Sequence, residues 1–107
     1  MTFDQALNAL ADHRRDIDRI DLDILRLLND RTRVVEKIGN IKEEFAMPIY
    51  EPKREDEVYR NVLEHNAGPL PPEAVKRIFE RLIDEMRTLQ SIKLNRDRDG
   101  AVRRTEQ

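Results

Sequence analysis

Cysteine is absent from the 107 residues, which removes disulfides, thiolate nucleophiles and cysteine metal sites together and suits a reducing compartment. Glycine is scarce, with three in the chain, and aromatics make up only 5%, which argues against a sheet protein. Proline is missing from Phe3 to Phe45, so nothing in that stretch forces a helix to break. Nowhere do about 18 apolar residues run together, and Met1-Thr2-Phe3-Asp4 is not a basic leader followed by an apolar segment. The expectation is a cytoplasmic protein without membrane association. Neither charge dominates, with 20 Lys plus Arg against 22 Asp plus Glu, so general nucleic-acid binding is not expected and any anion site must be local. His13 and His65 are isolated among charged residues and read as surface groups. No metal-ligand spacing involves them, and no metal is expected.

What remains is 39% charged and 38% apolar residues, the composition of an amphipathic, helix-rich globular chain. One domain of this size buries only about two thirds of its chain surface, so a partner would add stability. From Leu7, alternating steps of three and four residues give Leu7, Leu10, Arg14, Ile17, Asp21, Ile24, Leu28, Arg31, Val35, Ile38, Lys42 and Phe45. This is a nearly unbroken heptad seam carrying three cations. Buried unpaired cations cost several kcal/mol, so Arg14, Arg31 and Lys42 need anions, of which the seam supplies Asp21. Arg15, Arg19, Arg26, Arg33 and Lys37 lie off the seam on solvated faces.

The spacing predicts a helix from Phe3 to Phe45, roughly 60 Å long, then a loop near 46–51 where Pro48 breaks the helix. Pro52 suits the first turn of a second, short helix with Val58, Val62 and Leu63 as its apolar positions. Asn66-Ala67-Gly68 is suited to end it, and Pro69, Pro71 and Pro72 reset the chain. A third helix runs from Glu73 to about Leu94, with Val75, Ile78, Phe79, Leu82, Ile83, Met86 and Leu89 as its stripe and Gln90 closing it. The expectation is an all-α domain over 1–95 with a frayed, charged tail over 96–107.

Arg31 and Lys42 stand about 16 Å apart on one helix face, close enough to grip one small molecule, whereas Arg14 is about 26 Å from Arg31. Arg14 therefore serves another site or another subunit. Antiparallel pairing of two long helices would bring Arg14 of one chain near Arg31 and Lys42 of the other, giving two mixed sites in a symmetric dimer. Arg54 and Glu55 open the second helix, and Gln90 lies in line with the third helix's stripe. No His, Cys or Ser stands beside a base, so nucleophilic catalysis has no candidate. Donors without a nucleophile suit redistribution of charge within a bound dianion.

The motif Arg14-x-x-Ile17-x-x-Ile20-Asp21-x-x-Ile24-x-x-Leu27-Leu28-x-x-Arg31 resembles the first half of the long helix of the all-helical, type II (AroQ-class) chorismate mutases. Ile38-Gly39-x-x-Lys42 resembles its end. Pro48-Ile49-Tyr50-Glu51-Pro52-x-Arg54-Glu55, Ile78-Phe79 and Leu89-Gln90 match the remaining blocks in order and spacing. The resemblance spans roughly residues 7 to 94. It implies an intertwined helical homodimer that converts chorismate to prephenate by a Claisen rearrangement, without cofactor, on the route to phenylalanine and tyrosine.

Carried over by resemblance, Arg14 from the partner chain and Arg31 anchor the substrate carboxylates through planar guanidinium forks. Lys42 and Gln90 bond the ether oxygen, where charge grows in the transition state. Glu55 accepts a hydrogen bond from the substrate hydroxyl, and Arg54 supports the carboxylates or orders the loop. The chain departs from well-known bacterial members at Glu51, where an Asp is familiar, and at Met86, where a small hydroxyl residue often contacts a carboxylate. The first change keeps the charge, and a thioether cannot replace the second contact.

Three alternatives stay open at this level. A coiled-coil dimer would use Arg14 and Asp21 to set register. An isochorismate pyruvate lyase shares the fold and the cations, although Glu55 argues for the mutase. A regulatory or scaffolding module would bind chorismate-like ligands while a partner enzyme of the shikimate pathway performs the other chemistry.

Overall fold

The computed structural model describes the backbone of residues 1–105 and the side chains through residue 100. It contains three helices, α1 (Phe3–Glu44), α2 (Pro52–His65) and α3 (Pro72–Thr105). No strand occurs among the described residues. The chain divides into two units, one of residues 1–34 and the other from residue 35 onward.

The first unit is most of α1. Its start is a reciprocal cap: the Thr2 hydroxyl accepts from the Gln5 backbone N–H at 3.1 Å, and the Gln5 side chain accepts from the Thr2 N–H at 2.8 Å. Two otherwise orphaned donors are thereby satisfied. Along the exposed surface, Arg15 pairs with Asp12, Arg19 with Asp16 and Arg33 with Asp30, each three residues apart. Such solvated pairs each add little. The apolar residues of this unit remain open to solvent: Leu10 is 48% and Ile17 55% exposed.

The second unit begins with the last turns of α1. At its end, Ala46 adopts a left-handed φ of 53°, its N–H reaches the Glu43 carbonyl at 3.3 Å and the Met47 N–H reaches the Lys42 carbonyl at 2.7 Å. This Schellman arrangement satisfies terminal carbonyls and reverses the chain into the segment preceding α2. Pro52 opens α2, where a missing N–H costs nothing. Beyond α2, the Asn66 side chain fastens the next turn, accepting from the Gly68 N–H at 3.0 Å and donating to the Leu70 carbonyl at 2.8 Å. Gly68 has a φ of 80°, which glycine adopts without a Cβ penalty.

Helix α2 packs on α3. The core residues are Val75, Ile83 and Met86 of α3, with Phe79 and Leu82 half-buried beside them. Ile78 and Leu89, expected in the same stripe, are exposed. A stripe that wide covers more than one helix face, and α2 covers only one. Helix α3 also continues to Thr105, past the end expected near Leu94, and the last two residues of the expected tail, 106 and 107, lie outside the described residues. Extending an existing helix adds a hydrogen bond for each residue fixed and requires no apolar face. No helix among the described residues is long and apolar enough to cross a membrane.

Candidate active site

Helix α1 delivers Lys42 in its last turn. The chain reversal at Ala46 then folds the following segment back over that side chain. Lys42 Nζ donates to the Ile49 carbonyl at 3.0 Å and pairs with Glu51 Oε1 at 2.8 Å. Its side chain is only 12% exposed, so this pairing has more electrostatic weight than the surface pairs of α1. Glu51 occupies the N-cap of α2 but makes no side-chain capping bond. Its carboxylate goes to Lys42 instead.

One turn earlier on α1, Gly39 leaves its surface open to α3. A Cβ there would meet Gln90 Cγ and Nε2 at 3.6 Å, and the Gln90 amide donates to the Val35 carbonyl at 3.3 Å. The amide thus lies against α1 one turn before Lys42. Nearby, Lys93 contacts the Asn40 side chain, adding a second link between α1 and α3.

One turn before Gln90 on α3 stands Arg87. Its Nη2 donates to Glu55 Oε1 of α2 at 2.9 Å and to Asp84 Oδ1 at 3.2 Å, and its guanidinium lies 4.7 Å from the Tyr50 ring centroid. Because Tyr50 adjoins Glu51, the contacts close a circuit. It runs from Lys42 to Glu51 and Tyr50, on to Arg87 and Glu55, and back through Gln90 and Gly39 to the last turns of α1. Every member belongs to the unit beginning at residue 35. Beside the circuit, burial chiefly, then the Glu55, Glu80 and Asp84 carboxylates, raises the Tyr59 phenol above its usual range, with Arg87 acting in the opposite direction.

Four of the sequence-predicted residues, Lys42, Glu51, Glu55 and Gln90, lie on this circuit. Met86 is buried in the core beside it. Arg54 sits on the exposed side of α2, where it pairs with Glu57 at 3.2 Å. Arg14 and Arg31 belong to the first unit, Arg14 exposed and Arg31 half-buried. Sequence reasoning missed Arg87, whose signal was its position three residues before Gln90, on the same helical face. It also gave no role to the Tyr50 ring.

The arrangement is a set of cationic and amide donors held among the carboxylates of Glu51, Glu55 and Asp84, and among the described residues of the circuit no nucleophile stands beside a base. Comparison with known proteins identifies the family. Residues 13–91 match the family described as chorismate mutase type II. The chain is 38% identical over 88 residues to a bifunctional chorismate mutase/prephenate dehydratase of Aquifex aeolicus, covering 78% of this chain and 24% of that one. The corresponding protein of Neisseria gonorrhoeae is 45% identical over 76 residues, and the match covers 20% of its length. The chain therefore spans about a quarter or less of these two relatives. A chorismate mutase of Methanocaldococcus jannaschii is 32% identical, with 86% of its length covered. Among solved structures, chorismate mutase (form II) of Thermus thermophilus superposes with a TM-score of 0.76 at 34% identity, covering 78% of this chain and 94% of that one. Chorismate mutase of Helicobacter pylori, in complex with prephenate, gives a TM-score of 0.76 at 30% identity, with coverages of 82% and 96%. With the motifs in order, the three-helix architecture and the family match across most of its length, the chain belongs to the type II chorismate mutase family.

Proposed function

We propose that the chain converts chorismate to prephenate in the cytoplasm, as a step towards phenylalanine and tyrosine. The observation that carries this reading is the placement of the Lys42 ammonium and the Gln90 amide one turn apart at the end of α1, in a chain of this family. In the Claisen rearrangement the ether carbon–oxygen bond breaks as a carbon–carbon bond forms within one molecule, with no proton transferred. Catalysis then rests on stabilising the charge that develops on the ether oxygen, the role of Lys42 and Gln90. Glu55 takes the substrate hydroxyl, Glu51 keeps the ammonium aimed, and Met86 contributes an apolar wall. Arg31 holds a carboxylate, and Arg54 supports the carboxylates or orders the loop.

Arg14 reaches the site from a second copy of the chain. The half-exposed apolar seam of α1 supports a homodimer in which two long helices cover one another. The names of the Aquifex and Neisseria relatives pair the mutase with prephenate dehydratase in one chain, which supports a partner enzyme of the same pathway that consumes prephenate.

The test is to incubate purified protein with chorismate and, separately, with isochorismate, and to identify the products chromatographically. Prephenate from chorismate is expected. Pyruvate from isochorismate alone would move the assignment to a lyase, and no turnover of either would leave a binding module.

A further inference from the structure

Resting on the mutase reading, we propose that Arg87 is a positioning residue for the reaction: it holds the Glu55 carboxylate in the orientation that receives the substrate hydroxyl. The geometry is over-determined for a simple surface pair. Glu55 is 19% and Arg87 34% exposed at the side chain, so both are substantially withdrawn from water. The guanidinium is fixed from three sides, by Glu55 at 2.9 Å, by Asp84 at 3.2 Å and by the Tyr50 ring at 4.7 Å. Its donation goes to Glu55 Oε1. An ionised carboxylate has several lone-pair sites on two oxygens, so Oε2 keeps capacity for a hydroxyl donor.

Two physical arguments favour this role over a purely structural one. Arg87 Nε is buried with no hydrogen-bond partner among the described residues, and leaving such a group unmet is unfavourable. An apolar side chain of similar length would fill the space without that penalty, since buried ion pairs are often replaceable by packed hydrophobes. The second argument is charge. Chorismate is a dianion, and an unpaired, half-buried Glu55 would repel it, whereas a carboxylate already paired with a guanidinium can accept a hydroxyl without that repulsion. The planar fork also fixes direction, which an ammonium cannot do.

The experiment compares Arg87→Met, Arg87→Lys, Glu55→Gln and the Arg87→Met/Glu55→Gln double variant, measuring kcat and KM for chorismate and for an analogue lacking the ring hydroxyl. Arg87→Met is expected to lower kcat/KM for chorismate on the order of tenfold, with Arg87→Lys recovering part of the loss. The double variant is expected to be no worse than Glu55→Gln alone, because Arg87 acts through Glu55. With the hydroxyl-free analogue the Arg87→Met loss should shrink towards none. Additive losses in the double variant, an equal loss with the analogue, or an unchanged Arg87→Met would each overturn the proposal. Thermal melts of the same variants separate misfolding from misplacement, and the Glu55→Gln background supplies the readout if Arg87→Met alone folds poorly. Absence of mutase activity in the wild-type protein would instead remove the functional reading itself.

Discussion

At the scale of single residues, the proposed chemistry divides between charged side chains and one amide that cannot titrate. In the proposed mechanism Gln90 presents an N–H to the ether oxygen, where charge grows, and a primary amide donates at every accessible pH. A carboxylic acid donates only while protonated. Gln90→Glu is therefore expected to retain activity only at acid pH and to lose it as pH rises through the carboxylate range, about 4 to 5 for an ordinary Glu, with the wild type active throughout neutral pH. The check is the pH profile of kcat/KM for both proteins; a Gln90→Glu profile parallel to wild type would mean that the amide does not face the ether oxygen. Lys42 and Gln90 were legible as candidates because a cation in an apolar seam and a polar group closing an apolar stripe are both anomalies of pattern. Arg87 was not, because an arginine flanked by Asp84, Glu85 and Met86 looks like any solvated helical position until Tyr50 and Glu55 are seen around it.

At the scale of elements, prolines and periodicity located the long helix, the loop near 46–51 and the start of α2. The reversal that folds the loop back over Lys42 was not visible. It depends on Ala46 at a φ of 53°, and an alanine carries no sign of the left-handed conformation that a glycine would have announced. Since a non-glycine residue pays about 1 kcal/mol or more for that conformation, Ala46→Gly is expected to raise stability by about 0.5–1 kcal/mol with little change in turnover. Urea denaturation monitored by circular dichroism measures it, and a lower midpoint would mean that the Ala46 methyl packs usefully. The α2 and α3 pairing carries a second expectation. Burial first, and then Glu55, Glu80 and Asp84, raises the Tyr59 phenol, so the folded state resists its ionisation more than the unfolded chain does. Stability from this group is intact below the ordinary tyrosine value of about 10 and is lost as pH rises through the raised value. Tyr59→Phe should flatten the alkaline fall in urea midpoint relative to wild type, and identical slopes would remove the effect. The end of α3 was hidden for a different reason. Apolar spacing reports which face is packed, whereas Arg96 to Asp99 extend an existing helix without packing anything.

At the scale of the whole molecule, the apolar positions of α1 from Leu7 to Leu27 stay open to solvent, with Leu10 at 48% and Ile17 at 55% exposure. The seam was legible in the sequence because heptad spacing survives any tertiary arrangement. What covers it was not, since one sequence specifies the same seam for a coiled coil, a bundle or an intertwined pair. The proposed homodimer makes a numerical prediction that the other assemblies do not. Arg14→Ala and Lys42→Ala are each expected to lower kcat/KM by on the order of a hundredfold or more, since each removes a charged donor to the substrate. If Arg14 crosses to the partner's site, a heterodimer of the two variants contains one site with both residues intact and one with neither. Random exchange of equal amounts makes half the dimers mixed, so the mixture should recover about one quarter of the wild-type activity per site. A mixture no more active than its components, with exchange confirmed by differently tagged chains, would place Arg14 outside the partner's site and overturn the mixed-subunit arrangement.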